Sequence, residues 1–194
     1  MCGTLPPGIP ENFYSILIEK LRKTNKNVFF GLDADYNYLK HGISSNPELI
    51  KLNICELERL VSQRIKNLDQ LKKIGKSLLN DGISYVIVTM GEKGAVGFYK
   101  KDFFYAKGPI IRNPGSVGCG DVFLAGFVLS LSKMKGFKES LRFAVAAATA
   151  KAAEQFTDIP GPDKVKKYLK KILVRSLDDI DGRTEISSLQ EVPE

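Results

Sequence analysis

The sequence has few of the residues that build structural metal sites and disulfide frameworks. Its 194 residues include one histidine, His41, and three cysteines, Cys2, Cys55 and Cys119, with no C-x-x-C pair. This set cannot make a standard zinc site, and three isolated cysteines are typical of a reducing compartment. We therefore expect no structural zinc and a cytoplasmic location.

Long apolar runs are also lacking. No run approaches the 18 residues that a membrane-spanning helix needs, and the first residues do not form a basic segment followed by an apolar one. The sequence therefore predicts a protein without a membrane partner.

The charge is positive but unevenly distributed. The net charge is +7, yet residues 176–194 contain six acidic residues and one basic residue, which leaves +12 on residues 1–175. That balance suits nucleotides, sugar phosphates or nucleic acid. Many of the lysines fall on the outer faces of predicted helices and no aromatic-rich basic strand accompanies them, so we expect no nucleic-acid partner. Residues 176–194 lack periodicity and are expected to be a disordered or loosely packed acidic tail.

The apolar pattern of residues 1–175 indicates alternating strands and helices. It predicts strands at 28–32, 49–53 and 85–89, a hairpin at 95–100 and 103–107, and helices at 11–24, 54–61, 67–80, 121–134, 138–155 and 162–174. This alternation predicts an α/β fold with a mainly parallel sheet. Ligands of such sheets bind beyond the carboxyl ends of the strands.

The sequence Ser-Val-Gly-Cys-Gly-Asp at 116–121 precedes a long apolar helix. Gly118 and Gly120 allow a tight turn and a close approach of the backbone to a ligand. The amides of residues 118–120 would then form an anion site at the helix N-terminus. Asp121 is placed to take a proton from an attacking hydroxyl, which is the chemistry of phosphoryl transfer.

Other interpretations of this loop exist. A glycine-rich turn with an Asp near the helix start can be a simple helix cap. The dinucleotide fingerprint fails because Phe123 occupies the third glycine position, and no Walker A sequence occurs in the chain. The loop alone therefore leaves phosphate binding and helix capping open.

Two further strand ends carry polar residues. Asn53 and Glu56 can hold water around a hard cation, or they can form a capping box at a helix start. Thr89, Gly91 and Gly94 can admit a nucleotide, or they can form the turn into the hairpin. Each pair of interpretations stays open on the sequence pattern alone.

The order of these motifs resembles the PfkB group of ribokinase-like sugar kinases, particularly its phosphofructokinase and tagatose-6-phosphate kinase branch. The resemblance covers residues 1–174. It is carried by Gly-Thr-Leu-Pro-Pro-Gly at 3–8, Lys51-x-Asn53-x-x-Glu56, Thr-Met-Gly-Glu-Lys-Gly at 89–94, and Gly-Cys-Gly-Asp at 118–121 with Phe123, Ala125, Gly126 and Phe127. Two departures are Cys119, where the family has Ala or Ser, and Asn113-Pro114, two residues farther from the loop than in the tagatose branch.

The resemblance implies an ATP-dependent kinase that phosphorylates a sugar or sugar phosphate, such as a 1-phosphofructokinase or a tagatose-6-phosphate kinase, with ATP and Mg²⁺ as cofactors. The implied roles are as follows: Asp121 as catalytic base; Gly118, Cys119 and Gly120 as anion hole; Lys51, Thr89, Gly91 and Gly94 as ATP-binding residues; Gly3 and Thr4 as substrate-binding residues; and Asn53 and Glu56 as indirect Mg²⁺ ligands through water.

The resemblance also implies a ribokinase-like three-layer sandwich. Family members carry further strands, a sugar-binding Asp and a small β lid before the segment at 3–8. We therefore expect residues 1–175 to be the C-terminal nucleotide-binding portion of such a kinase, with the N-terminal strands and lid missing. The lid commonly forms a homodimer in full-length members. The alternative is a catalytically incomplete fragment that binds nucleotide only.

Overall fold

The computed structural model describes residues 1–115 and 117–189. Along the chain its strands and α-helices are β1 (Cys2–Gly3), α1 (Phe13–Thr24), β2 (Gly31–Ala34), α2 (Tyr36–Ile43), β3 (Leu49–Asn53), α3 (Ile54–Leu60), α4 (Leu68–Asn80), β4 (Tyr85–Thr89), β5 (Ala95–Tyr99), β6 (Asp102–Lys107), α5 (Cys119–Ser132), α6 (Gly136–Ala152), α7 (Pro162–Leu169) and β7 (Leu173–Ser176). Within these ranges, no helix combines the length and apolar character needed to cross a bilayer.

The strands of the described residues form one sheet in the order β1-β2-β3-β4-β5-β6-β7. Strands β1 to β4 are parallel, and β5, β6 and β7 continue the sheet as antiparallel neighbours. Cys2 pairs with Asp33, and Asn53 pairs with Thr89. The carboxyl ends of β1 to β4 therefore share one edge of the sheet, where the polar strand-end residues meet.

Helices cover both faces of the sheet. One core contains side chains of α1 to α4, and a second core contains side chains of α5 to α7. The central strand β4 contributes to both, because Val86 and Val88 point to the first core and Ile87 to the second. The α/β three-layer arrangement expected from the sequence is confirmed.

Some boundaries differ from the sequence expectations. The strand expected at 28–32 lies at Gly31–Ala34, and α2 was not predicted. The helix expected at 162–174 ends at Leu169 and is followed by β7. The Asp35 side chain accepts a hydrogen bond from the Tyr36 amide at 2.8 Å, which caps α2.

The expectation of a disordered or loosely packed tail is wrong for residues 177–189. Leu177, Ile186 and Leu189 are buried in the first core. The Ile186 amide also donates to the Lys66 carbonyl at 2.9 Å, and the Leu68 amide donates to the Thr184 carbonyl at 3.1 Å. Apolar residues spaced without helical or strand periodicity are held here by backbone hydrogen bonds to the start of α4. Residues 190–194 lie outside the described residues.

Candidate active site

Helix α5 begins within residues 118–120, the predicted anion site, which is called the anion loop below. Its N-cap is Gly118, with φ +76°, a left-handed conformation that strains residues with a Cβ. The Val122 amide bonds the Gly118 carbonyl at 3.0 Å, so the first helical turn is formed. The amides that precede it have no partner within a helix. This turn can therefore donate backbone hydrogen bonds to an anion, as expected for 118–120.

A cavity of about 430 Å³ opens beside this turn. Several residues expected at the ATP, metal and anion sites line it: Lys51, Asn53, Thr89, Gly91, Gly94, Cys119 and Gly120. Its apolar wall includes Ile111, Phe123, Val145 and Ala148. Gly3, Thr4, Glu56, Gly118 and Asp121 are not among its lining residues. The structure thus brings residues of β3, β4 and α5 to one pocket.

Lys51 is a buried charge directly under the anion loop. It is 5% exposed, and its Nζ donates to Asp33 Oδ2 at 2.6 Å. A Cβ built on Gly120 would lie 3.3 Å from the same Nζ, so a side chain at 120 would crowd the ammonium. The sequence motifs do not identify Asp33, which follows the apolar run of the first predicted strand. Its position at the carboxyl edge of the sheet was the signal for a site residue.

Asp121 belongs to a cluster beside the cavity. Its carboxylate, the Asp33 carboxylate and the Cys2 thiol lie within 4.8 Å of one another. Burial raises the pKa of the Cys2 thiol, and the two carboxylates add to that rise. Gly3 and Thr4 follow Cys2 and are exposed. The end of β1 therefore lies next to the acid that the sequence singles out as the base.

Asn53 and Glu56 form the capping box that the sequence allowed. The Glu56 amide donates to Asn53 Oδ1 at 2.9 Å, and the Asn53 amide donates to Glu56 Oε2 at 2.7 Å. The local pattern therefore has a structural role at the start of α3. Glu56 Oε1 takes no part in the box, so a carboxylate oxygen at this strand end suits water-mediated contact with a hard cation.

The turn after β4 also has a structural role. Gly94 has φ +91°, and a Cβ there would collide with the Ala106 carbonyl oxygen, so the hairpin itself requires this glycine. Gly91 has φ +62°, and a Cβ there would enter open space. The Thr89 hydroxyl donates to the Leu52 carbonyl at 3.3 Å. The hairpin interpretation accounts for Gly94, while Thr89 and Gly91 also face the cavity.

Cys119, the unusual residue of the loop, is held as a neutral thiol. Its Sγ donates to the Gly115 carbonyl at 3.1 Å. Burial raises the pKa of this thiol above its ordinary value. The side chain therefore does not present a thiolate, and the backbone amide is the group that this residue can offer to an anion.

Comparison with known proteins is consistent with this geometry. Residues 1–164 match the pfkB family carbohydrate kinase domain. The chain is 32% identical over 182 residues to a 1-phosphofructokinase of Borreliella burgdorferi, covering 91% of this chain and 56% of that protein. It is 30% identical to a tagatose-6-phosphate kinase of Staphylococcus epidermidis, covering 90% of this chain and 56% of that protein.

A solved structure shows the same architecture. Phosphofructokinase-2 of Escherichia coli in complex with potassium superposes with a TM-score of 0.81 and 27% sequence identity, covering 87% of this chain and 55% of that one. The chain spans about half the length of the relatives it matches. On the family match and the shared fold, this chain belongs to the pfkB family of carbohydrate kinases.

Proposed function

We propose that this chain takes part in ATP-dependent phosphorylation of a sugar-phosphate hydroxyl, as in 1-phosphofructokinases and tagatose-6-phosphate kinases. The observation that carries the proposal is the shared cavity. The cavity is lined by the N-terminal turn of α5, by the buried Lys51 and by Thr89, the last residue of β4. A phosphate-binding turn and an apolar wall in one pocket suit a nucleoside triphosphate.

ATP would lie with its base against the apolar wall of Phe123, Val145 and Ala148. Its terminal phosphates would accept hydrogen bonds from the amides of Cys119 and Gly120. Such donors are already fixed by the helix, so they stabilise developing negative charge without reorganisation. Lys51 would add a positive charge near the same oxygens.

Asp121 would act as general base. It lies in the first turn of α5 and is exposed beside the end of β1, where Gly3 and Thr4 would contact the sugar phosphate. Its carboxylate would accept the proton of the acceptor hydroxyl as the oxygen attacks the γ-phosphorus and ADP leaves. Asn53 and Glu56 would hold Mg²⁺ through water, and the cation would neutralise charge on the phosphates.

A second candidate is nucleotide binding without phosphoryl transfer. The observation that favours it is the exposure of the substrate side, where both Gly3 and Thr4 are exposed. An acceptor hydroxyl that is not held in line loses a large part of the catalysed rate, because positioning can contribute about 7–11 kcal/mol.

The experiment is a coupled ADP-release assay with fructose 1-phosphate, fructose 6-phosphate and tagatose 6-phosphate, together with calorimetric ATP titration. Asp121→Asn should lower kcat by roughly 10²–10⁴-fold and leave ATP affinity unchanged. Asp163→Asn is the matched control, since Asp163 is an exposed acid in the first turn of α7. Equal turnover of the two variants would remove Asp121 from the role of base. ATP binding without turnover of any acceptor would favour the second candidate.

A further inference from the structure

Lys151, in the last turn of α6, is a buried charge with no role in the chemistry described above. It is 2% exposed, the lowest exposure of any charged residue that the structure describes as buried. Its Nζ donates to the Phe156 carbonyl at 2.7 Å. Among the described residues, no carboxylate lies within ion-pair distance of it. An ammonium has three donors, and a carbonyl supplies no compensating charge.

Such a group is costly to bury. Taking an ammonium out of water is unfavourable unless an opposite charge or a full set of hydrogen bonds replaces the solvent. A single carbonyl compensates in part. A fixed buried cation that lacks an anionic partner therefore suits a protein that receives its anion as a ligand.

The anion loop lies beside Lys151 and could hold that ligand. The Lys151 Cε lies 3.5 Å from the position that a Cβ on Gly118 would occupy. The positive charge is also felt at the first residue of α5, where Lys151 opposes the rise in the pKa of Cys119. Lys151 therefore approaches the anion loop from the side of α6, whereas Lys51 approaches it from β3.

We propose that Lys151 is a positioning residue whose charge supports phosphate binding at residues 118–120. It adds a full positive charge to the partial charge of the α5 N-terminus without contacting the substrate. This inference rests on the proposed function, because the anion is the phosphate of the bound nucleotide.

A purely structural role makes different predictions. Through Phe156, Lys151 joins the end of α6 to the loop that follows it, and the Gly115 amide donates to the Ala152 carbonyl at 2.9 Å in the same region. If this tether were the whole role, removal of the lysine would loosen the loop. Binding of charged and uncharged ligands would then weaken together.

The test uses calorimetric titration and thermal unfolding of the full chain and three variants. Lys151→Met removes the charge and the donor at nearly equal volume, and Lys151→Gln keeps a donor but no charge. Lys164→Met is the matched control, because Lys164 donates to the Ala153 carbonyl at 2.8 Å in the same loop and pairs with Glu154 at 3.0 Å. The ligands are ATP and uncharged adenosine.

We expect both neutral variants at 151 to bind ATP about tenfold more weakly or worse, equivalent to about 1.4 kcal/mol. Adenosine affinity should change less than twofold, and the midpoint of thermal unfolding without ligand should be unchanged or higher. Lys164→Met should bind ATP as the unmodified protein does.

Five results would overturn the proposal. The proposal would be overturned, with the proposed function left intact, if both neutral variants bound ATP as tightly as the unmodified protein. The same holds if Lys151→Gln bound ATP normally while Lys151→Met did not. An equal loss of ATP and adenosine affinity, or failure of both variants to fold, would assign Lys151 a structural role. Absence of ATP binding by the unmodified chain would overturn this inference together with the proposed function.

Discussion

Removal of the Asp33 carboxylate should destabilise the fold because it leaves the Lys51 ammonium buried without its partner. The two side chains are joined at 2.6 Å, and the Lys51 side chain is 6% exposed, so water replaces the lost carboxylate only in part. Breaking one side of a buried ion pair costs about 3–5 kcal/mol. The Asp121 carboxylate lies within 4.8 Å of the Asp33 carboxylate, so it replaces part of the negative charge that the substitution removes. We therefore expect Asp33→Ala to lower the free energy of unfolding by about 3 kcal/mol.

The same reasoning predicts recovery in a double variant. Replacing a whole buried pair by apolar residues is often neutral or stabilising, because the desolvation of both charges disappears with them. Asp33→Ala/Lys51→Met should therefore be more stable than Asp33→Ala alone and lie within about 1 kcal/mol of the unmodified protein.

Urea unfolding at pH 7, followed by circular dichroism, measures these differences if the transition is two-state. Lys166→Met provides an exposed reference, since Lys166 and Asp163 pair at 3.1 Å with side chains 71% and 94% exposed. Exposed pairs contribute at most about 1 kcal/mol. A loss for Asp33→Ala no larger than that of the reference, or a double variant no more stable than Asp33→Ala, would refute the argument.

Three further predictions concern the loop, the hairpin and one buried phenol. Cys119→Ala should leave ATP affinity nearly unchanged, whereas Gly120→Val should abolish measurable ATP binding by calorimetry; similar affinities would argue against a backbone-based anion site. Gly94→Ala should lower the urea midpoint far more than Gly91→Ala, because only the Cβ at 94 meets backbone, and equal midpoints would contradict this. Burial raises the pKa of Tyr105 from 10 to about 12, because the folded protein disfavours the charged phenolate. The contribution of Tyr105 to the free energy of unfolding is therefore complete below pH 10 and is lost as the pH rises to 12. Tyr105→Phe should lose less stability than the unmodified protein over that interval, and parallel pH profiles would exclude the assignment.

The sequence predicted elements whose pattern is local and missed elements that depend on a distant partner. The apolar pattern predicts β4 at 85–89, which is where the structure has it. It also predicts the boundaries of the capped helix α4 to within one residue. In contrast, β2 begins three residues later than expected, because its register with β3 starts at the Gly31–Leu49 pair although the apolar run starts earlier. Phe29, inside that run, is 39% exposed. Hydrophobicity alone does not mark where pairing begins.

The end of the chain shows the same limit. Leu173 and Val174 continue the apolar spacing of the helix expected at 162–174, yet residues 173–176 pair with β6 as an antiparallel strand. In that register Val174 lies opposite Ala106 and Arg175 opposite Tyr105, and alternate residues of β7 gain ladder hydrogen bonds to β6. Tyr105 of β6 also donates to the Lys93 and Leu189 carbonyls, at 2.7 and 3.2 Å. The partners of β7 and of Leu189 lie 66 to 84 residues away in the chain, and spacing within a segment cannot reveal them.

The candidate site likewise contains residues that local motifs identify and residues that only the fold reveals. The sequence motifs identified Lys51, Asn53, Thr89 and the 118–120 turn, which line or adjoin the cavity. They did not identify Asp33 or Lys151. Both were selected by the groups that they face. Asp33 of β2 pairs with Lys51 of β3, and Lys151 of α6 lies beside Gly118 at the start of α5. A charged residue at a strand end or a helix end is too common for its type alone to select it.

The local structural explanations of the motifs do not compete with the functional one. The capping box explains why Asn53 and Glu56 occur together, and the tight hairpin explains Gly94. Neither explains why both lie at the same edge of the sheet as the turn at 118–120. Parallel strands bring their carboxyl ends together, and the register that pairs Asn53 with Thr89 sets the cap and the hairpin turn side by side. Because capping and turn formation require no such convergence, the shared cavity is the feature that favours a nucleotide site over three independent structural motifs.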